Sequence, residues 1–97
     1  MIQKEYTPDG NCSVKFLVPS AVRADIIYLV VDFNSWNPTN IPMQKSETGD
    51  FEVTLVLESN REFQFLYLVN ETDWHSDWDA DKYVPNPYEE NNSIVVT

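Results

Sequence analysis

Hydrophobic and polar residues alternate with a period of two along much of this chain. The alternation is clearest over residues 13–18, 51–58 and 63–69. Because successive side chains of a strand point to opposite faces of a sheet, these segments are predicted to be strands with one face turned inward. The residues expected to point mainly inward are Phe16, Phe51, Val53, Leu55, Phe65 and Tyr67.

Two further segments complete the predicted strands. The apolar run between Asp25 and Asp32 is typical of a more central strand, and residues 93–97 form a short β-branched segment. Turn-forming residues separate the segments, and no stretch shows helical periodicity. This arrangement predicts an all-β fold, an immunoglobulin-like antiparallel β-sandwich. Residues 1–97 are expected to form a single domain, with a loosely attached N-terminal strand within residues 1–11.

Charge and composition narrow the classes of partner. Six basic and sixteen acidic residues give a formal net charge of −10, which disfavours nucleic acid and anionic membranes and leaves neutral ligands such as sugars unaffected. The chain has one cysteine, Cys12, and begins without a long apolar stretch. A cytoplasmic protein without a cofactor is the expectation.

The three tryptophans carry the main signal for function. Trp36, Trp74 and Trp78 lie in segments rich in Asn, Ser and Asp. An exposed indole beside such side chains suits a pyranose ring, because the C–H face of the sugar stacks on the indole and its hydroxyls need hydrogen-bond partners. The alternative is that these tryptophans cover the loop ends of the sandwich, since tryptophan is buried on average.

Acidic residues in the segment after residue 72 suggest two other kinds of chemistry. Asp77, Asp79 and Asp81 have the opening spacing of a calcium loop, but Lys82 stands where glycine is needed and Tyr88 where the closing glutamate is needed. Glycoside hydrolysis requires two carboxylates across a cleft, which one crowded loop does not provide. The sequence therefore predicts neither a metal site nor a catalytic residue.

The order of several motifs resembles a known family. Residues 32–38 read Asp-Phe-Asn-Ser-Trp-Asn-Pro, and they are followed by Gly-Asp-Phe at 49–51, Trp74, and Asn-Asn-Ser-Ile-Val-Val at 91–96. Together they resemble carbohydrate-binding module family 48, the early-set domain of isoamylases and glycogen branching enzymes and the glycogen-binding domain of a protein kinase. The likeness covers about residues 12–97, and it is greatest to small free-standing bacterial early-set proteins.

The resemblance implies non-catalytic binding of an α-1,4-linked glucan such as glycogen, starch or a maltooligosaccharide. It implies that Trp36 and Trp74 clamp successive glucose rings and that Asn91 hydrogen-bonds sugar hydroxyls. Leu66 stands where the kinase-type module has a lysine that reaches a sugar hydroxyl, so a lysine in its place is predicted to strengthen binding.

Two other functions remain as alternatives. Gln64, Leu66 and Leu68 share the face opposite Phe65 and Tyr67, so two leucines are expected to be exposed. Such a patch would suit a protein-interaction module that has lost sugar binding, or a homodimer formed through an exposed sheet face. The less favoured alternative is a glycoside hydrolase, which a reducing-sugar assay would reveal.

Overall fold

The chain folds into two antiparallel β-sheets. A computed structural model describes residues 2–32, 37, 39, 41–85 and 91–97, and its elements are all strands. No helix in this described part is long and apolar enough to cross a lipid bilayer. The strands are β1 (Ile2–Tyr6), β2 (Asn11–Val18), β3 (Ile27–Val31), β4 (Ile41–Pro42), β5 (Gln44–Lys45), β6 (Phe51–Glu58), β7 (Glu62–Val69), β8 (Asp73–His75), β9 (Lys82–Pro85) and β10 (Asn91–Val96).

The strand order confirms the predicted sandwich. One sheet has the order β1-β2-β6-β5, and the other has the order β4-β3-β7-β10-β9. Along the chain, the strands change sheet between β2 and β3, between β4 and β5, and between β6 and β7, as in immunoglobulin-like domains. The short strand β8 pairs with residues 67–69 of β7, with Asp73 opposite Val69 and His75 opposite Tyr67. This part of β7 lies beyond the part that pairs with β10.

The core lies between the two sheets and consists of the alternate residues that the sequence predicts. Phe16, Phe51, Phe65 and Tyr67 are buried there, and Val53 and Leu55 pack against them, so the predicted inward set is confirmed. Phe65 makes edge-to-face contacts with the rings of Phe16 and Tyr67, at centroid distances of 4.9 and 5.7 Å. Cys12 is fully buried in the same core, on the strand that β1 and β6 flank.

The second face of the larger sheet is also buried at its centre. By alternation, Leu66 and Leu68 of β7 project away from the core on what we call the outer face, together with Val30 and Ile94 of the neighbouring strands. Leu66 is only 8% exposed and Leu68 only 5%. The expectation that these two leucines are exposed is therefore wrong. Strand β7 is buried on both faces over Phe65–Val69, which is typical of a central strand.

One edge of the sandwich is closed by an ion pair between the sheets. Lys4 on the edge strand β1 places its Nζ 2.7 Å from Asp81 Oδ2, and it donates a 2.9 Å hydrogen bond to the carbonyl of Val96 on β10. The Asp81 carboxylate also accepts a 2.8 Å hydrogen bond from the Val96 N–H. These contacts connect β1 to the opposite sheet in addition to its pairing with β2.

Candidate functional site

The structure separates the four residues that the sequence assigns to a sugar site. Trp36 lies outside the described residues. Trp74 lies on β8, Leu66 lies at the centre of β7, and Asn91 begins β10. The predicted role of Trp36 thus stays a prediction, and the geometry of the other three can be compared.

Trp74 is an exposed indole held by a strand. The sequence places it in a polar loop, but residues 73–75 pair with β7, and Trp74 is the cross-strand partner of Leu68. It therefore shares the outer face with that buried leucine, while 41% of its own surface remains exposed. A half-exposed indole beside a buried leucine offers a flat apolar surface on the outer face of the sheet.

The asparagine that shares this face is Asn92. Ser93 is the partner of Phe65 and belongs to the core face, so alternation places Asn92 on the outer face beside Leu66. The Asn92 Nδ2 donates a 3.0 Å hydrogen bond to Gln64 Oε1. Asn91 falls on the opposite side of the strand by the same rule, and its carbonyl accepts a hydrogen bond from Ser76 Oγ.

Leu66 lies in the floor of the outer face. With 8% of its surface exposed, its side chain leaves little area for a sugar to contact. The structure therefore brings Trp74, Leu66 and Asn92 to the outer face of the sheet, and it places Asn91 on the opposite face.

The segment that follows Trp74 is fixed to the core through Asp77. The Tyr67 hydroxyl donates a 2.5 Å hydrogen bond to Asp77 Oδ2, and both residues are buried. The Asp77 N–H donates to Ser93 Oγ at 2.6 Å, and the Tyr83 hydroxyl donates to the Asp77 carbonyl at 2.6 Å. Burial, followed by the negative charge of Asp77, raises the pKa of Tyr67 far above its usual value. These contacts fix the chain between β8 and β9.

Trp78 packs flat against two rings at the edge of the sheet. Its ring centroid lies 6.0 Å from that of Tyr67 and 6.1 Å from that of His75, with interplanar angles of 21° and 20°. Tyr67 and His75 are cross-strand partners, and by alternation both side chains project to the core side of the sheet, opposite the outer face. Trp78 is nevertheless 46% exposed, so it covers Tyr67 while one part of its own surface meets solvent.

Two acidic residues of this region, Asp77 and Asp81, serve the fold. Besides the Tyr67 hydrogen bond, the Asp77 carboxylate accepts a 2.7 Å hydrogen bond from the Asp79 N–H, and Asp81 pairs with Lys4. Within the described ranges, no group of three or more His, Cys, Asp or Glu side chains is placed to hold a metal ion. Two of the three aspartates with the calcium-loop spacing, Asp77 and Asp81, thus have carboxylates that are already engaged by protein donors.

A groove of about 300 Å³ lies at the loop end of the sandwich, near the end of β7. It contains Arg23 and Lys45, the two basic side chains of the described residues that form no ion pair, and Lys45 Nζ lies 5.8 Å from the ring centroid of Phe51. None of the sugar-site residues predicted from the sequence lines it. The lining residues are Ser20, Val22, Arg23, Ala24, Asp25, Lys45, Gly49, Phe51 and Asn70.

Comparison with known proteins adds no relative. No model of a known protein family matches the chain, and no curated protein matches it. The functional argument therefore depends on the residues themselves. Sequence reasoning missed Asn92 and the stacking of Trp78, and the alternation of residues 91–96 about the core residue Ser93 is the signal that could have identified Asn92.

Proposed function

We propose that this domain binds an α-1,4-linked glucan without catalysis, on the outer face of the larger sheet around Trp74, as a module similar to carbohydrate-binding module family 48. The observation that carries the proposal is a 41% exposed indole on β8, at the position opposite the buried Leu68 of β7. A cytoplasmic location is part of the same proposal and depends on composition alone.

The exposed indole of Trp74, which we call a platform, fits the chemistry of a glucose ring. The apolar C–H face of a pyranose can stack on the exposed indole, which the pairing of β8 with β7 places on the outer face. Stacking of one ring would contribute roughly 1–2 kcal/mol before the costs of association are subtracted. With a few hydrogen bonds, we expect a Kd of about 10 μM to 1 mM for a short maltooligosaccharide.

Polar groups beside the platform suit the sugar hydroxyls. Asn92 and Gln64 are hydrogen-bonded to each other on the same face as Trp74, and both residues are partly exposed. Neutral amides recognise hydroxyls without the cost of desolvating a charge. The net charge of −10 imposes no electrostatic penalty on such a neutral ligand.

Burial of the leucines weakens the rival function. The interaction module depended on an exposed patch at Leu66 and Leu68, and these side chains are 8% and 5% exposed. Self-association through that patch would require the residues that cover it to move away. Glucan recognition requires only the surface that Trp74 already exposes.

Titration with maltoheptaose tests the proposal. We expect Trp74→Ala to reduce affinity at this site at least tenfold, because a central aromatic anchor typically contributes about 2 kcal/mol or more. The matched control is Tyr6→Ala, which removes an exposed aromatic residue from the other sheet. Isothermal calorimetry measures affinity, and circular dichroism checks that each variant is folded.

Two results would contradict the proposal. Equal affinity of the parent and a folded Trp74→Ala variant would show that Trp74 is not part of the sugar site. Release of reducing sugar from glycogen by the purified parent would show that the domain is an enzyme.

A further inference from the structure

We infer that Trp78 forms a second glucose-binding platform, on the opposite side of the larger sheet from Trp74. The choice of ligand rests on the proposed function, because both platforms would bind the same glucan. The residues are different, and the argument below uses only Trp78 and its neighbours.

One face of the Trp78 indole is occupied and the other is open. Tyr67 and His75 are direct cross-strand partners, so their rings project to the same side of the sheet. The Trp78 indole stacks within 21° of parallel to both rings, at centroid distances of 6.0 and 6.1 Å. Trp78 is nevertheless 46% exposed, and we assign this exposure to the face turned away from the pair.

The position of this platform is fixed by buried contacts. Trp78 directly follows Asp77, which is bound to the Tyr67 hydroxyl at 2.5 Å and to Ser93 Oγ at 2.6 Å. Because the platform is fixed before a ligand arrives, little conformational entropy is lost when a sugar ring stacks on it.

A carboxylate lies next to Trp78 in the chain. Asp79 follows Trp78 and is exposed, and among the described residues its carboxylate has no hydrogen-bond or ion-pair partner. A carboxylate that accepts from two adjacent sugar hydroxyls, next to an aromatic face, is a chemical combination suited to a pyranose.

The two platforms face away from each other. Trp74 shares the outer face with Leu68, whereas Trp78 covers Tyr67, the adjacent residue on β7 that points to the other side. One short oligosaccharide therefore cannot stack on both indoles across the sheet. We expect two independent sites, each of which would take its own chain or its own segment of a branched polymer.

Indole N–H resonances distinguish the sites. In a spectrum of the ¹⁵N-labelled full chain, each of the three tryptophans gives its own Nε1–H signal, and Trp74→Phe and Trp78→Phe assign them. On titration with maltoheptaose, we expect the Trp78 signal to shift and to keep shifting in a Trp74→Ala variant. We expect Asp79→Ala to weaken binding at Trp78 severalfold and leave the Trp74 titration unchanged, while Glu71→Ala serves as the exposed control.

The outcomes separate this inference from the proposed function. A Trp78 signal that stays fixed while the Trp74 signal saturates overturns the inference and leaves the first site intact. A Trp78 signal that shifts while Trp74 stays fixed supports the inference and overturns the first site. Two fixed signals overturn both, and a Trp78 shift that disappears in a folded Trp74→Ala variant reduces the two platforms to one site.

Discussion

The Tyr67 hydroxyl donates a 2.5 Å hydrogen bond to Asp77 Oδ2, and both residues are buried at the point where the chain leaves β8. We predict that Asp77→Ala lowers the free energy of unfolding by about 1–3 kcal/mol, because the buried hydroxyl loses its acceptor. Asp79→Ala, which removes an exposed carboxylate two residues later, should stay within about 0.5 kcal/mol of the parent. Urea unfolding measures both, and equal stability of the two variants would contradict the anchoring role of Asp77.

Tyr67 also predicts how stability depends on alkaline pH. Burial and the nearby Asp77 raise the pKa of Tyr67 above its usual value of 10.0, so the folded protein retains a proton that the unfolded chain releases. The contribution of Tyr67 to the free energy of unfolding is fully present below about pH 10. Above about pH 10, the free energy of unfolding falls by up to about 1.4 kcal/mol per pH unit. Tyr67→Phe should make this decline shallower. An identical slope in urea titrations from pH 9 to 11 would show that Tyr67 does not cause it.

The ion pair between Lys4 and Asp81 predicts a loss of stability at acidic pH. Partial burial raises the pKa of Asp81, but the hydrogen bonds from Lys4 and from the Val96 N–H outweigh it and hold this pKa below its usual value of 3.8. The resulting stability is present above about pH 4 and is lost as the pH falls through the lowered pKa. Lys4→Met should cost about 0.5–1 kcal/mol at pH 7 and little at pH 2. A cost that is the same at both values would assign the effect to strand packing instead of charge.

The burial of Leu66 predicts that a lysine at that position lowers the stability of the fold. A lysine at a site that is 8% exposed must bury its ammonium group or displace its neighbours, so Leu66→Lys should destabilise the fold by about 2–5 kcal/mol. Val56→Lys on the smaller sheet is the control, because Val56 is 65% exposed and should tolerate the change within about 0.5 kcal/mol. If the two variants unfold at the same urea concentration, the outer face is open in solution.

The two adjacent asparagines should differ in their effect on glucan binding. Alternation places Asn92 on the face of Trp74 and Asn91 on the other side, whereas the family resemblance assigns the contact to Asn91. We expect Asn92→Ala to weaken maltoheptaose binding at Trp74 by about fivefold to tenfold, the loss of roughly one hydrogen bond. Asn91→Ala should leave the Trp74 titration unchanged, and the opposite order would support the resemblance.

Much of the fold could be predicted from the sequence, because alternate residues of a strand point into the core. Phe16, Phe51, Phe65 and Tyr67 were placed correctly by a period of two. The same rule failed for Leu66 and Leu68, because a strand at the centre of a sheet is buried on both faces, and the unbroken apolar run from Phe65 to Val69 was the signal of that position.

The site was harder to predict than the core. Strand β8 is only three residues long and pairs with Tyr67, Leu68 and Val69 of β7, so nothing in its own polar sequence distinguishes it from a loop. The ring contacts of Trp78 depend on the hydrogen bonds that fix Asp77, which are tertiary contacts without a local sequence pattern. The exposed indoles were recognised as a class, but which face each one occupies required the structure.

Cys12 gives the domain an internal reporter of its own opening. Its thiol is fully buried on β2, which is flanked on both sides by paired strands, and it is the only cysteine in the sequence. A thiol reagent can therefore react only in molecules in which this part of the sandwich has separated, so the rate of labelling at low denaturant measures how often that separation occurs. Each substitution discussed above could be examined in this way without introducing a dye or a second cysteine.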